Sequence, residues 1–218
     1  MDFQKRRENF SIPDEHKNFL KYLKENENIN PNVIYDIGSC VFHWLDEAQK
    51  VWPNSYYYCF EANTDMKDFY ENNKKIMSDY HLGLLSDMTR IVDYYKSNEH
   101  PGGNSYYPEI YYGHLYKPIK QTTTTLDMVV KNNNFKKPDM IKIDVQGSEI
   151  DVLHGAKKTL KSCNHLIVEL QHVQYNQGAY LADESIEIIE NEFGFKLINE
   201  KFCDNGADAD YYFSKINN

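Results

Sequence analysis

The stretch Val33-Ile34-Tyr35-Asp36-Ile37-Gly38-Ser39 decides the fold. A short apolar run carries one acid in its middle and stops at a glycine. Such a run fits a strand buried on both faces of a parallel sheet, and the glycine lets the backbone turn sharply behind it. Downstream, strand and helix signals alternate. Residues Phe42 to Val51 can form a helix that Pro53 ends. Tyr56-Tyr57-Tyr58-Cys59-Phe60 is a second strand running into Glu61. Thr64 then caps a helix with Met66, Phe69, Asn73 and Ile76 along one side, and Tyr80 to Leu85 is a third strand.

Residues Ser86 to Gln121 interrupt the alternation with Pro101-Gly102-Gly103-Asn104 and many tyrosines, and read as short strands and loops. The pattern resumes with a helix from Thr125 to Lys131 and a strand from Met140 to Val145. A helix from Ser148 to Leu160 follows, with a capping-box-like Ser148/Asp151 pair. His165 to Leu170 is a strand, Asp183 to Phe193 a helix, and Phe195 to Ile198 with Asp210 to Phe213 are two closing strands joined by a polar loop. Alternation of this kind predicts a doubly wound α/β sheet, mostly parallel, and the two closing strands add an antiparallel C-terminal edge. Upstream, Ser11-Ile12-Pro13-Asp14 starts a helix whose apolar face is Phe19, Leu20 and Leu23. Residues 1–32 are therefore expected to be a helical lead-in, with one domain over 33–218.

Composition narrows the function. The net charge is −9 over 218 residues, which disfavours a nucleic-acid partner because the basic field that captures a phosphate backbone is missing. Four cysteines without CxxC spacing, and an N-terminus with no apolar run behind its charges, give the expectation of a cytoplasmic protein. No stretch is long and apolar enough to span a membrane. Tyrosines between Tyr94 and Tyr116 could suit a sugar surface. With 18 tyrosines in the chain, however, packing is their default role.

In a doubly wound sheet, ligands sit beyond the carboxyl ends of the strands. Those ends carry Asp36, Glu61, Asp87, Asp144, Glu169 and His172. Gly38 allows close backbone approach to a ligand, and Glu61 is placed to accept hydrogen bonds from both hydroxyls of a ribose, as an acid about 20 residues past the first strand does in dinucleotide sites. Lys142 and Asp144 share one face of a strand expected to be buried, so they pair with each other or serve a site. Asp144 could orient an acceptor hydroxyl or take its proton, and Glu169 and His172 stand where a substrate would enter. Asp127, in the first turn of its helix, is read as structural. Asp144, Glu169 and His172 could in principle form a metal site, but sequence spacing does not show one, and no metal is assigned.

Taken together, Ile34-Tyr35-Asp36-Ile37-Gly38-Ser39, Cys59-Phe60-Glu61-Ala62-Asn63, Gly102-Gly103-Asn104-Ser105, Thr124-Thr125-Leu126-Asp127 and Met140-Ile141-Lys142-Ile143-Asp144-Val145-Gln146-Gly147-Ser148-Glu149, followed by Leu153-His154-Gly155-Ala156, resemble the FkbM family of methyltransferases dependent on S-adenosylmethionine (SAM). The resemblance runs from about Val33 to Ile198. It implies a class I methyltransferase, Rossmann-like sheet and methyl transfer from SAM to a hydroxyl of a sugar, glycan or similar small acceptor. It also implies that Asp36, Gly38 and Ser39 form the cofactor loop, that Glu61 with Ala62 holds the ribose, and that Ser86 and Asp87 lie near the adenine. The chain departs from the family pattern at Phe42, where a second glycine is usual, and at Gln146, where Glu is usual. A catalytically degenerate binding subunit and a nicotinamide-dependent oxidoreductase are the alternatives, the latter without a Gly-x-Gly-x-x-Gly after its first strand.

Overall fold

The computed structural model describes residues 2–215. In chain order the strands are β1 (Val33–Ile37), β2 (Tyr56–Glu61), β3 (Asp79–Leu82), β4 (Leu84–Leu85), β5 (Ile91–Lys96), β6 (Lys117–Thr124), β7 (Met140–Ile143), β8 (His165–Gln171), β9 (Phe195–Asp204) and β10 (Asp208–Lys215). The helices are α1 (Phe3–Asn9), α2 (Asp14–Glu25), α3 (His43–Val51), α4 (Lys67–Asn73), α5 (Leu126–Asn133), α6 (Glu149–His154) and α7 (Ala182–Phe193). Seven strands form the main sheet in the order β3-β2-β1-β7-β8-β10-β9. The first five are mutually parallel, and β10 runs antiparallel to both its neighbours, β8 and β9, which gives the antiparallel edge that the two closing strands predict.

Alternation along the central strands sorts side chains onto two apolar layers. Val33, Tyr35, Ile37, Ile141, Ile143, Leu166 and Val168 pack with residues of α5, α6 and α7. Ile34, Cys59, Met140, Ile167 and Tyr212 pack with α2, α3 and α4. Helix α2 contributes Phe19, Leu20 and Leu23 to that second layer. At about 1.5–3 kcal/mol for each fully buried side chain, these three anchor α2 to the sheet. Helix α1 lies within the expected helical lead-in. It is capped by Asp2, whose carboxylate accepts from Lys5 N at 3.1 Å.

Five boundaries differ from expectation. The third strand is split at Gly83, whose N–H donates to Glu61 O at 2.9 Å; beyond it Leu84–Leu85 leaves the main sheet for a small second sheet, β4-β6-β5. The turn before α4 is capped by Asn63, which accepts from Asp65 N at 3.2 Å, and Thr64 is its first residue. Ser148 gives no side-chain cap to α6, and its hydroxyl donates to Val145 O. Helix α6 also ends at His154, where Gly155 passes so close to Ser86 that an added Cβ would lie 2.1 Å from the Ser86 carbonyl oxygen. The closing hairpin is longer than its apolar core because β9 and β10 extend into polar residues.

Candidate active site

Two clefts open at the carboxyl ends of the parallel strands and meet at Gly38, Cys40, Gly102 and Asp144, which line both. The first, of about 630 Å³, lies between the ends of β1, β2 and β7, the Gly83–Leu85 segment, and the loop from Pro101 to Ser105. Its floor depends on Gly38, which has φ +85°; a Cβ there would lie 1.8 Å from the carbonyl oxygen of Asp144. Only glycine allows β1 to turn beneath the end of β7 at that separation. The loop continues through left-handed residues Cys40 (φ 42°) and Phe42 (φ 71°). Phe42 thus holds a conformation that suits the family's glycine. Its ring is fully buried, stacked on Phe69 at 5.0 Å and set edge-on to Tyr70 at 4.5 Å, away from both clefts. Strain of roughly 1–2 kcal/mol in a left-handed non-glycine residue is offset by that packing.

Glu61, at the end of β2, faces the first cleft and is only 7% exposed. One carboxylate oxygen accepts from Asn63 N at 2.7 Å and the other from Cys40 N at 3.0 Å. Burial pushes its pKa up, against the pull of those backbone donors. Each oxygen keeps acceptor capacity toward the cleft. Tyr94 and Asn104 line the same cleft, and the Tyr94 hydroxyl and Asn104 Nδ2 are buried without a partner. Asn104 is fixed by its other end, which accepts from Ser97 N at 2.7 Å. A buried acceptor pair and two unsatisfied donor groups on residues lining one cavity suit a polar ligand that supplies both kinds of group.

Beneath the junction of the clefts, register places Asp36 of β1 beside Lys142 of β7. Lys142 donates to Asp144 Oδ2 at 2.8 Å, and Gln146 Nε2 donates to Asp144 Oδ1 at 2.9 Å and Glu169 Oε2 at 2.8 Å. Burial would raise Asp144, but the Lys142 charge and hydrogen bond hold it below the usual carboxylate range. Burial and the neighbouring Asp144 charge push Glu169 well up. Asp36 has no partner for either oxygen; burial lifts it to about 6 despite the Lys142 charge. The turn after β7 is shaped by buried Glu149, one oxygen of which accepts from both Val145 N and Gly147 N, at 3.0 and 3.1 Å. That turn holds Gln146 at φ 57°.

The structure brings Gly38, Ser39, Glu61, Ala62, Lys142, Asp144 and Glu169 to the walls of the two clefts, and it leaves others out. Asp36 lies under the floor and lines neither. Ser86 and Asp87 sit behind Leu85 in a separate network, with the Ser86 hydroxyl on Asp87 and Tyr106 and with Arg90 paired to Asp87. His172 lines neither cleft, and its Nε2 meets the Tyr211 hydroxyl at 3.0 Å. Asp127 accepts from the backbone of Lys158 and Thr159, a structural role.

The second cleft, of about 770 Å³, is walled by Lys142, Asp144 and Glu169 and also by residues that no strand-end rule identifies: Arg6, Pro13, His16 and Trp44 on one side, Cys203 and Asp210 of the closing hairpin on the other. His16, Cys203 and Asp210 put potential ligand atoms within 4.8 Å of one another. Yet the Trp44 indole N–H donates to His16 Nε2 at 2.8 Å, which leaves the ring proton on Nδ1 to donate to Asp210 at 3.0 Å. Both imidazole nitrogens are committed, so the trio reads as a polar lock between α2, α3 and β10.

The chain is similar over 48 residues, 40% of them identical, to the hexuronic acid methyltransferase AglP of Haloferax volcanii; the match covers 22% of this chain and 20% of that protein. In structure it is similar to a candidate O-methyltransferase from Klebsiella pneumoniae (TM-score 0.56, 11% identity, covering 100% of this chain and 87% of that one). It is also similar to the mitomycin 7-O-methyltransferase MmcR (TM-score 0.50, 10% identity, 93% and 53%). At such identities the structural likeness shows the fold, that of the class I methyltransferases. The Methyltransferase FkbM domain profile matches residues 17–197, most of the chain. The chain belongs to the FkbM methyltransferase family.

Proposed function

We propose that the protein transfers a methyl group from SAM to a hydroxyl of a sugar or similar small acceptor. The observation that carries this reading is the buried Glu61 carboxylate, facing a cleft that joins a second cleft at Asp144. Glu61 is suited to accept from the two ribose hydroxyls, the Asn104 amide and Tyr94 hydroxyl supply donors, and Leu84 and Leu85 offer an apolar wall for the adenine. The acceptor then occupies the second cleft. A sugar acceptor is supported by the hexuronic acid methyltransferase to which part of the chain is similar.

SAM supplies, when bound, a methyl group already activated on a sulfonium. The protein therefore has to align an oxygen with it and receive a proton late in the transfer. Alignment alone can lower the barrier by several kcal/mol. Asp144 stands on both clefts, is held ionised by Lys142 and Gln146, and is the group placed to accept the hydroxyl proton as the O–C bond forms and the S–C bond breaks. Lys142 and Gln146 act through it as positioning residues. Glu169, on the same amide of Gln146, can share the proton.

Calorimetry with SAM, its demethylated product S-adenosylhomocysteine and NAD tests the cofactor. Micromolar binding of the first two and none of NAD is expected, and the reverse order would support the oxidoreductase reading. Methyl transfer to a panel of sugars tests the acceptor. Binding without turnover on any hydroxylated acceptor would favour a binding subunit.

A further inference from the structure

The second cleft contains a guanidinium that no carboxylate among the described residues neutralises. Arg6 and Arg7 sit side by side on α1 but have different fates. Arg7 is clamped: its Nε and Nη2 hold both oxygens of Asp46 at 2.8 and 2.5 Å, its Nη1 donates to Asn73 at 2.7 Å, and its guanidinium lies over the Phe42 ring. This clamp fixes α1 against α3 and α4 and turns Arg6 to the cleft. Arg6, half-buried, has one long contact, Nη1 to Glu99 O at 3.5 Å, and lies over Phe10. Among the described residues no carboxylate reaches it. The other cation of the cleft, Lys142, is paired with Asp144. His43 on the same wall is pushed toward its neutral form by burial. Arg6 is therefore the one uncompensated cation of the cleft, in a chain whose net charge is −9.

Its position is informative as well. Arg6 Nη2 comes within 4.0 Å of where a Gly102 side chain would begin, and Gly102 lines both clefts. A ligand group held by Arg6 thus stands beside the junction at which Asp144 would meet the acceptor oxygen. Guanidinium presents a planar fork of donors that matches a carboxylate or a phosphate. A half-buried guanidinium without an anion forgoes most of that hydrogen-bonding capacity.

We infer that Arg6 binds an anionic group of the acceptor, which is a sugar bearing a carboxylate or a phosphate close to the hydroxyl that is methylated. The inference rests on the reading of the second cleft as the acceptor site. It assigns to the first helix a role in choosing the substrate.

The test uses the full chain loaded with S-adenosylhomocysteine and follows Trp44 fluorescence. Trp44 lines this cleft, and Trp52, the only other tryptophan, lies elsewhere beside Pro53. Methyl β-D-glucuronide, glucose 6-phosphate and methyl β-D-glucoside are titrated into wild type and Arg6→Gln. At least one anionic sugar is expected to bind wild type roughly tenfold or more tightly than the neutral glucoside, the size of one charge-assisted interaction. Which one does so tells carboxylate from phosphate. In Arg6→Gln that preference is expected to vanish while affinity for S-adenosylhomocysteine stays within twofold. Equal affinity for all three sugars in wild type, no binding of any, or a preference that survives in Arg6→Gln overturns the inference. Failure of S-adenosylhomocysteine itself to bind would instead strike the proposed function.

Discussion

Replacing Glu61 by Gln separates cofactor recognition from support of the fold. In the wild type each carboxylate oxygen accepts one backbone N–H, from Asn63 or Cys40, and keeps one lone pair for the ligand. Glutamine keeps a single oxygen. Its amide nitrogen must face one of the two backbone donors, and it offers the ribose one neutral acceptor where there were two charged ones. A charge-assisted hydrogen bond in a buried site contributes about 1.5–3 kcal/mol. Loss of one such bond and weakening of the other puts the expected penalty at about 2–3 kcal/mol, or roughly 30- to 150-fold in Kd. The fold should suffer less, because the variant also removes a buried charge that burial already disfavours. Titration calorimetry with SAM and S-adenosylhomocysteine is the assay. Both ligands carry the same ribose, so both affinities should fall by the same factor, with a melting temperature within a few degrees of wild type. An affinity within twofold of wild type in a folded variant would refute the ribose role. So would a loss confined to SAM, since that would place Glu61 near the sulfonium.

Three further outcomes follow from the same geometry. Asp144→Asn should lower kcat by roughly 10²- to 10⁴-fold, as loss of a positioned base does, with KM for SAM changed by less than about fivefold; steady-state kinetics checks this, and an unchanged kcat would remove Asp144 from the chemistry. Phe42→Gly relieves a left-handed residue but vacates a fully buried ring site, so the variant should be less stable by about 2–4 kcal/mol in urea unfolding; a gain in stability would show that the ring contributes nothing. Burial raises Glu149 from 4.5 to about 7, so the stability it contributes is complete below its unfolded pKa and is lost as pH rises through about 7. Glutamine can accept the same two N–H groups through its single oxygen, so Glu149→Gln should match wild type near pH 5 and exceed it by about 1–3 kcal/mol near pH 8, and a pH-independent difference would contradict the assignment.

The main sheet was legible in the sequence because its strands are short apolar runs ending on glycine or acid, a pattern that burial on two faces enforces. Glu61, Lys142 and Asp144 were legible for a related reason: charge at the end of a buried strand needs a partner or a ligand. What stayed hidden depends on contacts between distant segments. Nothing local in Ser86-Asp87 reveals that Gly83 diverts the chain to a second sheet and leaves Leu84 and Leu85, not the polar pair behind them, against the cleft. His172 stands at the right end of its strand, yet its ring pairs with Tyr211 on the neighbouring β10. Tyr94 was one tyrosine among 18, and only its unpartnered hydroxyl distinguishes it. The Arg6-Arg7 pair shows only charge in the sequence, because Asp46, which tells the two apart, is some forty residues away.

The two clefts are composed from different parts of the chain. Every residue lining the first lies between Ile37 and Ser148, whereas the second takes walls from the segment Arg6 to His16 and from the hairpin at Cys203 to Asp210. Under the proposed function, acceptor choice rests with the outlying segments and cofactor use with the middle. Substitutions in the outer walls can therefore alter the second cleft and leave the lining of the first untouched. The lining of the first cleft takes nothing from the two outlying segments, whereas the second is closed where they meet, across the His16–Asp210 lock.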